Sequence, residues 1–312
     1  MRKVLPILFV VSLIAQHSFA SRDSVFSFRF RNDVTLTVSY PKDFSSKKNT
    51  QLILFALPNG NTTAQTMGKI LKEGDDWHFD IQHIAAQAAF VRNSSSDENI
   101  IVVYLENDLK AWPQWKKTHP DYTDLIPKIV DTISQVLSLK KYWLHLNGHS
   151  GGGSFVLGYI QSKEQIPSKV ERISFLDSDY GYDSSFTQKF TDWIKAFPSH
   201  HLTVFAYNDS VVIYNGKPLV TPTGGTWYRS HLMMKDLSAY FPFHINRQDS
   251  VQQFSSSKNQ VNFFFVDNPE KKIFHTVQVE RNGFIHSVLI GTALENKNYT
   301  YWGERAYTKF IQ

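Results

Sequence analysis

The chain has 312 residues, with 33 Lys and Arg against 28 Asp and Glu for a formal charge of +5, and it contains no cysteine. Without cysteine there are no disulfides, no thiolate metal sites and no lipid-modified N-terminal cysteine. Lysines and arginines lie scattered among acids, without the stripe that nucleic acid requires, so nucleic acid is not expected as a partner.

Arg2 and Lys3 precede an apolar core from Val4 to Ala15, and Ser18-Phe19-Ala20 closes it with a small-x-small ending. This pattern predicts a secretory signal peptide over residues 1–20, cleaved after Ala20. The apolar run is too short to span a bilayer and no later stretch is long enough, so stable membrane insertion is not expected. With cysteine absent, the expected location is bacterial, periplasmic or secreted. The Asn-x-Ser/Thr triplets at Asn61, Asn93, Asn208 and Asn298 then read as chance matches. Residues 21–312 show no repeat, low-complexity tract or Pro/Gly linker and are read as one domain.

Ser24 to Tyr40 alternates apolar and polar residues on both sides of Asn32-Asp33, predicting an antiparallel hairpin. Leu52 to Leu57 is a continuous apolar run, the pattern of a strand buried on both faces, and it ends in the loop Pro58-Asn59-Gly60-Asn61-Thr62. Asp80 to Arg92 has helical spacing, Ile100 to Leu105 is a second buried strand, and Asp121 to Leu139 is an amphipathic helix. Further on, Ile173 to Leu176 and Leu202 to Ala206 read as strands, and Phe186 to Phe197 and Trp227 to Tyr240 as helices. Val261 to Val266 and Ile273 to Glu280 read as two more strands, before Asn282-Gly283-Phe284-Ile285-His286. Alternating strands and helices predict an α/β class with a doubly wound, mostly parallel sheet and an N-terminal antiparallel hairpin.

Gly148-His149-Ser150-Gly151-Gly152 stands between the apolar stretch Tyr142 to Leu146 and the helical stretch Ser154 to Ile160. A G-x-S-x-G turn between strand and helix needs glycine flanks because the chain reverses so tightly, and it lifts the serine hydroxyl into reach of a substrate. The helix that follows points free N–H groups at any negative charge forming there. Ser150 is the candidate nucleophile, with His149 beside it as a candidate substrate contact. The bland alternative is a Gly-rich turn whose serine caps the helix.

These residues resemble the α/β-hydrolase superfamily in the elbow at Ser150, the leading hairpin, the strand order and a late histidine on a loop before a helix. That resemblance implies an enzyme using no cofactor, most simply a carboxylic ester hydrolase working through an acyl-enzyme, with amide or peptide bonds second. It also implies a triad ordered serine, acid, histidine. Ser150, Asp209 and His286 fit that order, with Asp177 and Asp179 as alternative acids. The oxyanion donors it implies are the N–H of Gly151 and, since Pro58 has none, that of Asn59 or Gly60.

Trp112 and Trp115, on a loop after a strand, are either substrate-stacking residues or a plug over the core. Tyr180, Tyr182 and Arg229 are candidate pocket residues, Arg229 for a substrate carboxylate. Two other functional classes stay open. Asp76, His78, Asp80 and His83 have the residue types of a zinc metallohydrolase, although Asp80 also suits a helix cap. A non-catalytic binding protein on the same scaffold is the other.

Overall fold

The structure, a computed structural model, describes residues 23–312, so the expected signal peptide lies outside the described residues. The chain opens with the antiparallel pair β1 (Asp23–Phe30) and β2 (Val34–Pro41), in register from Asp23 opposite Pro41 to Phe30 opposite Val34. The predicted hairpin is therefore present. β3 (Asn49–Ala56) leads through the short α1 (Thr63–Met67) to α2 (Ile84–Ser94) and on to β4 (Glu98–Asn107). α3 (Trp112–Thr118) and α4 (Tyr122–Val136) precede β5 (Trp143–His149). The rest alternates as α5 (Gly153–Gln161), β6 (Val170–Leu176), α6 (Thr187–Ala196) and β7 (His201–Tyr207). Beyond a two-rung hairpin, β8 (Ile213–Tyr214) with β9 (Lys217–Pro218), come α7 (Thr226–Ser238), β10 (Phe243–Gln248), β11 (Val251–Ser256) and β12 (Val261–Val266). The short α8 (Val277–Glu280) and α9 (Gly283–Leu289) follow.

The main sheet runs β1-β2-β4-β3-β5-β6-β7-β12-β11-β10. Strands β4, β3, β5, β6, β7 and β12 are mutually parallel, and an antiparallel hairpin closes each edge. The continuous apolar runs of β3, β4, β7 and β12 follow from burial on both faces. One face is covered by α3 to α7: in α4, Leu125, Ile126, Ile129, Val130 and Ile133 form one buried stripe. Each such side chain contributes about 1.5–3 kcal/mol of burial free energy. The other face is covered by α2, α9 and the C-terminal segment.

β3 is followed by β4 on one side and, after the return crossover, by β5 on the other. The winding reverses there, and the carboxyl ends of β3 and β5 open the crevice that such sheets use for ligands.

Several elements differ from the sequence-based expectation, among them the segment of Trp112 and Trp115, expected as a loop and folded as α3. The helix expected from Asp80 begins at Ile84, because Arg305 and His83 bond the Asp80 carboxylate and His83 turns the chain through φ 46°. Residues Ile273–Thr276 form a loop before α8 instead of a strand. β10 and β11 were not expected: their sequences are polar and β10 is an exposed edge, so no apolar alternation marks them.

Candidate active site

Ser150 directly follows β5 with φ 54°, in the left-handed region that a non-glycine residue enters only when its surroundings hold it there. Those surroundings are backbone. A Cβ on Gly152 would lie 2.0 Å from the Ala56 carbonyl oxygen, and one on Gly153 1.7 Å from that of Ser178. Glycine at both lets the elbow press against the ends of β3 and β6. The Ser150 side chain stays half-buried at the crest, at the start of the turn that continues into α5.

Asp177, at the end of β6, is fully buried with φ 49°. Its Oδ2 accepts the Nδ1–H of His275, and its Oδ1 accepts the Thr226 hydroxyl. With Nδ1 held by a carboxylate, the His275 tautomer leaves Nε2 as the free, basic nitrogen. The His275 side chain is 23% exposed, so that nitrogen is within reach of a bound molecule. His275 also touches the elbow: its carbonyl accepts from Nε2 of His149 at 3.1 Å, and the two rings lie 4.7 Å apart. The Asp177–His275 pair thus lies against the residue preceding Ser150, at the carboxyl ends of the neighbouring strands β5 and β6.

Neither a family model nor a curated protein matches this chain. Solved structures do. A mutant of the feruloyl esterase module from Clostridium thermocellum, complexed with sinapinate, superposes with a TM-score of 0.54 at 11% identity, over 89% of this chain and 90% of that one. A thermostable esterase superposes with a TM-score of 0.50 at 12% identity, over 84% of this chain and 60% of that one. The chain has the α/β-hydrolase fold. Within it, Ser150 occupies the turn after the central strand, as its sequence context suggested.

The structure surrounds the remaining candidates differently from the sequence-based expectation. His286 is on α9, 1% exposed, with its ring among Phe205, Phe264, Tyr299 and Tyr301. Its Nδ1 pairs with the Tyr299 hydroxyl at 3.1 Å, and no carboxylate faces it. Burial, helped by Arg172, pushes its pKa down to about 3, so the imidazolium a general base must become is strongly disfavoured. Asp209 meets no histidine either. Its Oδ2 accepts from the Thr226 backbone N–H at 2.9 Å, and burial with the nearby Asp177 charge raises its pKa to about 6. Asp179 accepts from the Ser230 hydroxyl at 2.8 Å.

Burial raises the Asp179 pKa from 3.8 to about 8. A carboxyl raised in this way costs nothing below its unfolded pKa and progressively more as pH climbs to its folded one. The melting temperature of Asp179→Asn should therefore fall less between about pH 4 and pH 8 than that of the parent. Parallel profiles in thermal unfolding would contradict the assignment.

The N–H of Gly60 is already donated to the Lys110 carbonyl at 2.8 Å, which removes it as an oxyanion donor. Asn59 donates its N–H to no protein acceptor among the described residues, and a Cβ on Gly151 would strike the Asn59 side chain, so these two face each other. His149 does not line a pocket: it is buried, with Nδ1 3.2 Å from the Gln82 amide and Nε2 on the His275 carbonyl. Trp112 and Trp115 are the plug, both 1% exposed, their indole N–H groups donating to the Leu105 carbonyl and Asp33. Arg229 is spent on the Tyr182 carbonyl at 3.0 Å, and Tyr182 is buried with its hydroxyl on Asp236. Tyr180 alone of these stays accessible, 36% exposed and 6.3 Å from the His275 ring.

The proposed metal cluster divides in two. Asp76 binds His78 and Gln65, while Asp80 binds His83 and the Arg305 guanidinium. Among the described residues no group of three or more His, Asp or Glu is arranged to hold a metal ion.

Proposed function

We propose that the protein is a serine hydrolase of carboxylic esters in which Ser150 is the nucleophile, His275 the general base and Asp177 its carboxylate partner. The observation that carries this reading is the bond from His275 Nδ1 to the buried Asp177 carboxylate, on a loop that contacts the residue preceding Ser150. The esterase neighbours support an ester substrate through the shared fold.

In the first half-reaction the Ser150 oxygen bonds to the ester carbonyl carbon as its proton passes to Nε2 of His275. The carbonyl oxygen takes up the electron pair and is held by the N–H groups of Gly151 and Asn59. Collapse expels the alcohol, which leaves with the proton from Nε2. Water repeats the sequence on the acyl-serine, giving the acid and free Ser150. The Asp177 carboxylate fixes the ring and its tautomer. The signal-peptide pattern in residues 1–20 supports extending the proposal to an exported activity.

Incubation with a fluorophosphonate, followed by peptide mapping, tests the assignment directly. The expected adduct is on Ser150, with hydrolysis of p-nitrophenyl acetate lost in proportion. Labelling elsewhere, or none in the folded protein, overturns it.

A further inference from the structure

The Asp177 carboxylate is fully buried and has two oxygens to satisfy. One faces His275; the other has one side-chain donor, the hydroxyl of Thr226. Thr226 is the first residue of α7 and is itself fully buried, so no solvent water replaces that donor. Being β-branched, it has few χ1 choices, and its hydroxyl direction is set by where its backbone lies.

Asp209 sets the backbone. Its Oδ2 accepts the Thr226 N–H at 2.9 Å and lies 3.4 Å from the Thr226 hydroxyl oxygen. Only glycine at 225 permits this approach, since a Cβ there would be 2.3 Å from the same carboxylate oxygen. The N-terminal end of α7 also presents its positive dipole end to both carboxylates, which favours two acids at the ends of adjacent strands.

We propose that Thr226 is the positioning residue of the Asp177–His275 pair, held in place by Asp209: the α7 start clamps the free oxygen of Asp177 so that the other stays aligned with Nδ1. The proposal rests on the serine hydrolase reading above. Asp209, at the strand end where a triad acid is expected, then acts through Thr226 and never touches the imidazole. The other titratable groups around the clamp are Asp179, Tyr180, Tyr207 and His149.

The test compares Thr226→Val, which keeps the shape and loses the hydroxyl, with Thr226→Ser, which keeps the hydroxyl. Thr226→Val should lower kcat for p-nitrophenyl acetate about 10- to 100-fold with KM changed less than about twofold, and Thr226→Ser should stay within about threefold of the parent. Asp209→Ala, which removes the acceptor of the Thr226 N–H, should lower kcat in the same direction with KM little changed. A merely structural cap would alter melting temperature and leave kcat alone. The imidazole N–H proton of His275, far downfield in the NMR spectrum because of its carboxylate partner, gives a readout free of turnover. Thr226→Val should shift or broaden it.

A folded Thr226→Val protein with the parent's kcat and an unmoved resonance overturns the proposal. If Thr226→Val does not fold, a folded Thr226→Ala protein with the parent's kcat and an unmoved resonance does the same. Failure of the underlying reading is separate: the parent protein then neither turns over esters nor labels at Ser150.

Discussion

Ser150→Ala should leave the fold intact and lower kcat/KM for p-nitrophenyl acetate by at least about 10³-fold, because in the proposed mechanism Ser150 forms the acyl-enzyme. The substitution removes one oxygen from a half-buried side chain and keeps the Cβ, so the circular dichroism spectrum and melting temperature should match the parent's. Residual turnover above buffer would come from the oxyanion donors at Gly151 and Asn59 and from binding. Activity within tenfold of the parent would show that the elbow is only a turn.

His275→Gln and His286→Phe should divide function from stability. Without His275 the Ser150 proton has no acceptor, and kcat should again fall by about 10³-fold or more with the fold unchanged. His286→Phe keeps the ring in its aromatic setting but removes one hydrogen bond from the buried Tyr299 hydroxyl. It should cost about 0.5–1.5 kcal/mol in chemical denaturation while kcat stays within about twofold. The reverse pattern, with activity lost at 286 and kept at 275, would restore the base assignment made from sequence.

The framework of the fold was legible because its physics is local. Continuous apolar runs mark strands buried on both faces, and β3, β4, β7 and β12 all carry one. Ser150 was legible for the same reason: tight chain reversal demands glycine at fixed offsets, and the sequence displays them.

The partners proposed for Ser150 are set by long-range packing, which no short window displays. His275 was hidden because Ile273 to Glu280 carries enough apolar residues to resemble a strand, although it follows the last strand by a loop's length. His286 attracted the role through its glycine-led helix start, and that helix proved buried on every residue. Asp177 and Asp209 end adjacent strands in similar turns, and only the position of the His275 loop chooses between them. The tryptophans of α3 illustrate the opposite problem, since aromatic residues suit a binding wall and a core equally until burial is known.

The working parts come from widely separated stretches of chain: Asn59 after β3, Ser150 after β5, Asp177 after β6, Thr226 at the head of α7 and His275 beyond β12. No proteolytic fragment or partly folded species can hold them together, because the register of the central sheet alone brings them face to face. On the proposed mechanism, turnover is consequently an all-or-none reporter of global integrity, and half-formed molecules would be silent toward any ester they meet.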